Sequence, residues 1–170
     1  MKMEEISPNK PRIKLARDTA RKILVKANIS TYPILLKKIS EHVDNLYIDG
    51  REFEDGLSGV SARYNGKIFI AYNKDHAMVR NRFTVAHELG HVLLGHTERS
   101  VPVELNSKDY YECEANQFAA ELIMPLTLLK NAIKKYRTVG ELAYAFWVSK
   151  EAMGWRVMET GTFKFLDSWS

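Results

Sequence analysis

From Ile13 onward, Ala16, Ala20, Ile23, Leu24 and Ala27 recur at three- and four-residue intervals, the period of one helical face. Asn28 is suited to closing that helix. Ahead of it, residues 1–11 are polar and include Pro8 and Pro11, which predicts a loose arm. A second short helix is expected to open at Pro33 and carry Ile34, Leu35 and Ile39, because proline is tolerated in a first turn. Around Val43–Ile48 the pattern becomes strand-like. Gly59–Tyr64 and Lys67–Asn73 then flank Asn65-Gly66, the pair best suited to the positive φ angles of a tight hairpin. After His76 the period is helical again, over 78–94, 109–123, 126–136, 139–146 and 150–158, with a surface loop expected at 97–108.

At 170 residues the chain is long enough to bury a core without disulfide staples. Its single cysteine, Cys113, excludes an intramolecular disulfide framework and suits a reducing compartment. A formal charge of +4 is mild and does not by itself indicate a nucleic-acid partner. The first residues lack the apolar centre of a signal peptide, and no window approaches the roughly 20 apolar residues of a membrane span. A cytoplasmic protein with no membrane partner is expected.

The chemistry concentrates in Arg82–His91, RFTVAHELGH, which contains His87-Glu88-Leu89-Gly90-His91, an HExxH motif. On a helix turning about 100° per residue, two histidines four apart stand about 40° from each other, one turn above the next. Two imidazoles can then reach one ion, and Glu88 can reach a water on it. That arrangement implies a zinc-dependent hydrolase with Zn2+ as cofactor and Glu88 as the catalytic base. Tyr64, Tyr72, Tyr110, Tyr111 and Arg82 are candidate donors to a developing oxyanion, although each residue type is more often packing or surface. Gly90 would permit a close backbone approach. Cys113, beside acids, reads as inert, because acidic neighbours raise a thiol pKa.

A third protein ligand is required. His96 follows His91 by five residues and would sit about 140° round a continuing helix, out of register with the known HExxHxxGxxH pattern. The next helix offers Glu112, Glu114 and Glu121. Ala115, Phe118, Ala119, Leu122 and Ile123 mark its buried face, and the helical wheel does not choose between Glu112 and Glu114.

RFTVAHELGH followed by EANQFAAELIMP at 114–125 resembles the paired signature of the ImmA/IrrE family of zinc metallopeptidases, over roughly residues 60 to 160. The resemblance implies that the glutamate directly before the Ala-Asn pair, Glu114, joins His87 and His91 as the third metal ligand. It further implies a protein substrate, a helix-turn-helix transcriptional repressor of a bacterial mobile element, prophage, stress or toxin-antitoxin-type operon. Asn116 is a candidate partner for a neighbouring loop or a ligand side chain, with an exposed position the equal alternative.

The run 141–157, ELAYAFWVSKEAMGWRV, also reads like a helix-turn-helix, with Thr138 and Glu141 in a capping-box pattern. Lys150 and Arg156 are offset there by Glu151 and Glu159, and Trp147 occupies a turn position where a bulky residue fits φ > 0 poorly. Direct DNA binding is therefore not favoured, and the ImmA/IrrE resemblance implies that this segment packs on the catalytic core. The expected fold is α+β: a small antiparallel sheet against the HExxH helix, then a helical, helix-turn-helix-like C-terminal part. The expected division is an arm at 1–11, a zincin-like metallopeptidase domain at 12–137 and the C-terminal segment at 138–170, with a short hairpin possible at Gly161. Arg12, Lys14, Arg17, Arg21 and Lys22 would give the first helix a basic side that could face a partner, although a solvated face is the commoner role of such charges. The rival reading is a DNA-binding or protein-binding regulator whose zinc is structural.

Overall fold

A computed structural model describes residues 10–53, 56–98 and 105–168, so the arm expected at 1–11 lies outside the described residues but for its last two. The described residues form seven α-helices and one three-stranded sheet: α1 (Ile13–Lys26), α2 (Leu36–Ser40), β1 (Leu46–Arg51), β2 (Gly59–Tyr64), β3 (Lys67–Asn73), α3 (Met78–Leu93), α4 (Leu105–Ile123), α5 (Leu126–Ala132), α6 (Val139–Phe146) and α7 (Lys150–Glu159). Among them no helix is long and apolar enough to cross a membrane. α2 starts three residues after Pro33, later than expected. The loop expected at 97–108 is in part helical, with a short 3-10 helix at His96–Glu98 and α4 already under way from Leu105.

The sheet is mixed, not purely antiparallel. β2 and β3 form the expected hairpin, with Asn65 at φ 48° and Gly66 at φ 72°, the pair of positive angles that matches the strand twist. β1 lies on the other side of β3 and runs parallel to it, Leu46 opposite Ile68 and Ile48 opposite Ile70. The tight turn dictates the direction of β2 relative to β3. β1 is not joined to β3 by such a turn: the chain reverses between β1 and β2 and again between β2 and β3, which leaves β1 parallel to β3. Ile68 and Ile70 are buried and Lys67 and Phe69 exposed, as their alternation predicts.

α4 is the central helix. Ala115, Phe118, Ala119, Leu122 and Ile123 are fully buried, matching its expected apolar face. Each large side chain so removed from water contributes about 1.5–3 kcal/mol before entropy is counted. α1 packs Ala16, Ala20, Ile23 and Leu24 into the same core. Arg12 meets Glu114, Arg17 meets Gln117 and Arg21 meets Glu121, so the two helices run parallel and in step. Of the basic side expected on α1, Arg12, Arg17 and Arg21 thus pair with acidic and polar side chains of α4, while Lys14 and Lys22 are exposed.

α3 lies between sheet and α4. A Cβ on Gly90 would stand 3.0 Å from Phe118 Cδ1 and 3.2 Å from the Cα and O of Ala115, so the missing side chain sets how closely the two helices approach.

Past α5, Thr138 caps α6 by accepting from the Glu141 N–H, while the Glu141 carboxylate accepts from the Thr138 N–H. Trp147 does adopt the left-handed conformation, φ 56°, contrary to the steric objection. Its N–H donates to the Tyr144 carbonyl and the Val148 N–H to that of Ala143, which pairs the last carbonyls of α6. Arg82 holds the turn, donating to the Trp147 carbonyl at 3.0 Å and lying over its ring. These contacts offset the cost of the angle. No hairpin forms at Gly161. α7 runs to Glu159, a 3-10 turn covers Thr162–Phe165, and the chain returns to pair Ser168 with Thr138.

Candidate metal centre

α3 presents His87 and His91 one turn apart, with their Nε2 atoms 3.0 Å from each other. From α4, the Glu112 carboxylate comes within 3.2 Å of His87 Nε2 and 3.4 Å of His91 Nε2. One atom from each of the three residues lies within 4.8 Å of the others. Zinc bonds of about 2.0–2.1 Å in a tetrahedron imply ligand–ligand edges of about 3.3–3.4 Å, close to these separations.

Glu114, expected at this position, is not brought to the histidine pair. It is fully buried on the α1 side of α4. Its oxygens accept from the Arg12 backbone N–H at 2.7 Å, from Arg12 Nε at 2.9 Å, from Arg12 Nη2 at 2.8 Å and from His96 Nε2 at 2.9 Å. An ionised carboxylate has about four acceptor sites, and four donors take them. Burial opposes the charge, but the Arg12 and His96 hydrogen bonds outweigh it and hold the pKa of Glu114 below the ordinary carboxylate range. Residues two apart on a helix point about 200° apart, so a Glu114 that faces α1 leaves Glu112 to face His87 and His91. Glu121 lies further along α4, ion-paired with Arg21 and Arg156.

The outer nitrogens of the histidines determine what the inner ones offer. His87 Nδ1 lies 2.9 Å from Asn116 Oδ1, an atom that only accepts, so Nδ1 carries the proton and Nε2 a lone pair. On the other side, His96 Nε2 donates to Glu114, which makes Nδ1 of a neutral His96 an acceptor. His91 Nδ1, 3.0 Å away, is then the donor, and its Nε2 is again a lone pair. Burial, with His87 and His96 adjoining, pushes the pKa of His91 down to about 3, so it is neutral. Two lone pairs that face each other at 3.0 Å beside a carboxylate repel unless a cation lies among them. The donor set therefore fits a zinc ion.

Glu88, on the adjacent face of α3, accepts from Ser61 Oγ of β2 at 2.7 Å. Burial raises its pKa above the ordinary carboxylate range, and the Ser61 hydrogen bond and His87 oppose that shift. A cleft of about 1390 Å³ opens beside His87 and Glu88. Leu57, Phe83, Ala120, Met124, Val148 and Trp155 supply apolar wall to it.

Of the candidate oxyanion donors, Arg82 is engaged with the carbonyls of Ile34 and Trp147, Tyr64 is exposed, and Tyr111 is buried against the His96 ring. Cys113 is half-buried, and burial, then Glu114 and Glu159, raise its pKa, in keeping with an inert thiol. Ser61, His96 as a bridge and Arg12 were not legible in the sequence. Asn116 had a signal, being one turn from Glu112 on the same helical face.

The profile of the IrrE N-terminal-like domain, peptidase M78, matches residues 43–158. No curated protein matches the sequence significantly. Among solved structures, a Mycobacterium tuberculosis transcriptional regulator superposes with a TM-score of 0.66 at 14% sequence identity, over 85% of this chain and 46% of that one. The chain thus spans just under half the length of that neighbour, and at this identity the likeness is one of fold.

Proposed function

The chain belongs to the IrrE N-terminal-like family of M78 peptidases, and on that premise we propose that it is a zinc-dependent endopeptidase that cleaves a regulatory protein. His87, His91 and Glu112 hold the zinc and Glu88 is the catalytic base. The observation that carries the reading is the convergence of two imidazole lone pairs and one carboxylate from two packed helices, with a buried glutamate alongside.

When bound by these residues, zinc would supply Lewis acidity to the scissile carbonyl and would lower the pKa of a water towards about 7. Glu88 takes a proton from the attacking water and returns it to the leaving amine nitrogen. Its raised pKa suits both halves of that cycle, because a weakly acidic carboxylate accepts the proton readily and releases it within the same turnover. Ser61 keeps the carboxylate oriented. The apolar wall of the cleft, with Trp155 at its rim, favours a peptide with a bulky apolar side chain beside the scissile bond.

The substrate is a helix-turn-helix transcriptional repressor. Support for this is the family. Residues 12–137 supply the catalytic residues, and 138–168 a helix-turn-helix-like segment that shares the core through Val139, Leu142, Phe146, Met153 and Val157. The left-handed turn at Trp147 favours the rival, a DNA-binding regulator. Against it, Arg156 of α7 is buried in ion pairs with Glu121 and Glu159 and so does not face phosphate.

The test is co-expression with the repressor encoded beside the gene. Wild type is expected to cleave it, and Glu88→Ala to leave it intact while retaining one zinc per chain. Cleavage by Glu88→Ala at the wild-type rate sinks the mechanism, and salt-dependent operator binding that survives chelation favours the rival.

A further inference from the structure

We propose that His96 and Glu114 are positioning residues that hold His91 as the tautomer whose Nε2 lone pair faces the metal position. This rests on the zinc reading above and assigns a function to the glutamate that sits behind the site rather than in it.

The relay is continuous. The Arg12 backbone N–H and guanidinium bind both Glu114 oxygens, Glu114 accepts from His96 Nε2, and His96 Nδ1 accepts from His91 Nδ1–H. Each link has one direction. Arg12 only donates, an ionised carboxylate only accepts, and a neutral imidazole that donates from one nitrogen accepts at the other. The charge of Arg12, at the start of α1, therefore determines which nitrogen of His91, at the end of α3, carries the proton. Burial makes the relay stiff: the side chains of Glu114 and His96 are 0% and 3% exposed, and the His96 ring packs on Tyr111 with centroids 4.7 Å apart. His87 reaches the same tautomer by another route, through Asn116. Outer partners of this kind orient a metal-ligating imidazole and raise its basicity, and their loss typically weakens metal binding about 10–100-fold.

The test uses the full chain and zinc itself. His96→Phe keeps a ring against Tyr111 and removes both nitrogens; Glu114→Gln keeps the shape and removes the charge. Zinc affinity is measured by chelator competition, and the melting temperature of the metal-free protein is measured alongside. Two-bond 1H–15N spectra of the imidazoles report the tautomer of His91 without metal.

In wild type the spectra are expected to show His91 protonated at Nδ1. His96→Phe is expected to bind zinc about 10–100-fold more weakly at unchanged stoichiometry, with a mixed His91 tautomer. Glu114→Gln is expected to weaken binding by a smaller factor. Wild-type affinity in both folded variants overturns the proposal. So does loss of the zinc by Glu114→Gln with wild-type affinity in His96→Phe, because Glu114 is then a ligand. If His96→Phe does not fold, a wild-type His91 protonated at Nε2 overturns it alone. A wild-type protein that binds no zinc overturns the metal reading itself, a result distinct from the others.

Discussion

Gly59 opens β2 against α3, and a Cβ placed there would stand 2.4 Å from Thr84 Cγ2, 3.1 Å from the Ala71 carbonyl oxygen and 3.4 Å from Glu88 Cγ. Carbon atoms in contact prefer about 3.5–4.0 Å, so Gly59→Ala requires the strand and helix to separate by about 1 Å. Thr84 cannot easily yield. It is buried, and threonine in a helix has only one other χ1 rotamer to turn to. Overpacking of this kind costs about 1–3 kcal/mol. In a domain of this size each kcal/mol moves the melting temperature by about 2–4 °C, so Gly59→Ala is expected to melt about 2–12 °C below wild type. The measurement is thermal unfolding by circular dichroism in excess zinc, so that metal occupancy is constant. Thr84→Ser deletes the offending methyl group, and in the double variant much of the lost stability is expected to return as a favourable coupling. Peptidase activity is expected to fall as well, because Ser61, two residues along the strand, moves with Gly59 away from Glu88. A Gly59→Ala protein that melts within a degree of wild type at full activity refutes the argument.

Two further outcomes are expected. Burial raises the pKa of Glu88 and the Ser61 hydrogen bond opposes that shift by favouring the ionised form. Ser61→Ala therefore lets the pKa rise further, and the acid limb of kcat/KM should move to higher pH; no movement, or movement to lower pH, removes Ser61 from the site. Arg156 and Glu121 form an ion pair whose side chains are 1% and 3% exposed, and Arg156→Met leaves the half-exposed Arg21 as the ion-pair partner of Glu121. A loss of about 3–5 kcal/mol is expected in urea unfolding, largely recovered when Glu121→Leu is added; an unchanged midpoint in the single variant contradicts it.

Where the determinants are local, the sequence already specified the outcome. The i, i+4 spacing of His87 and His91 follows from helical pitch, the β2–β3 turn from the two positive φ angles that Asn65-Gly66 accepts, and the α6 cap from Thr138 and Glu141. The buried face of α4 was likewise legible from its apolar spacing. Trp147 was misjudged, because its left-handed angle depends on the carbonyl pairing at the end of α6 and on Arg82, which is 65 residues away.

The chain by itself thus determined that two imidazoles and a glutamate lie on one helix, and with them the candidate chemistry. Tertiary structure decided which carboxylate lies beside the histidine pair. Glu112 and Glu114 both lie on α4 and point to opposite sides, so the selection depends on which side α3 occupies and which α1. With Gly90 opening the approach of α3 and Arg12 drawing Glu114 toward α1, Glu112 is left facing His87 and His91. The position of β1 on the far edge of β3 was decided in the same way, by packing across elements. A residue's neighbours along one helix follow from its backbone geometry, whereas its neighbours across an interface follow from the packing of every element between them.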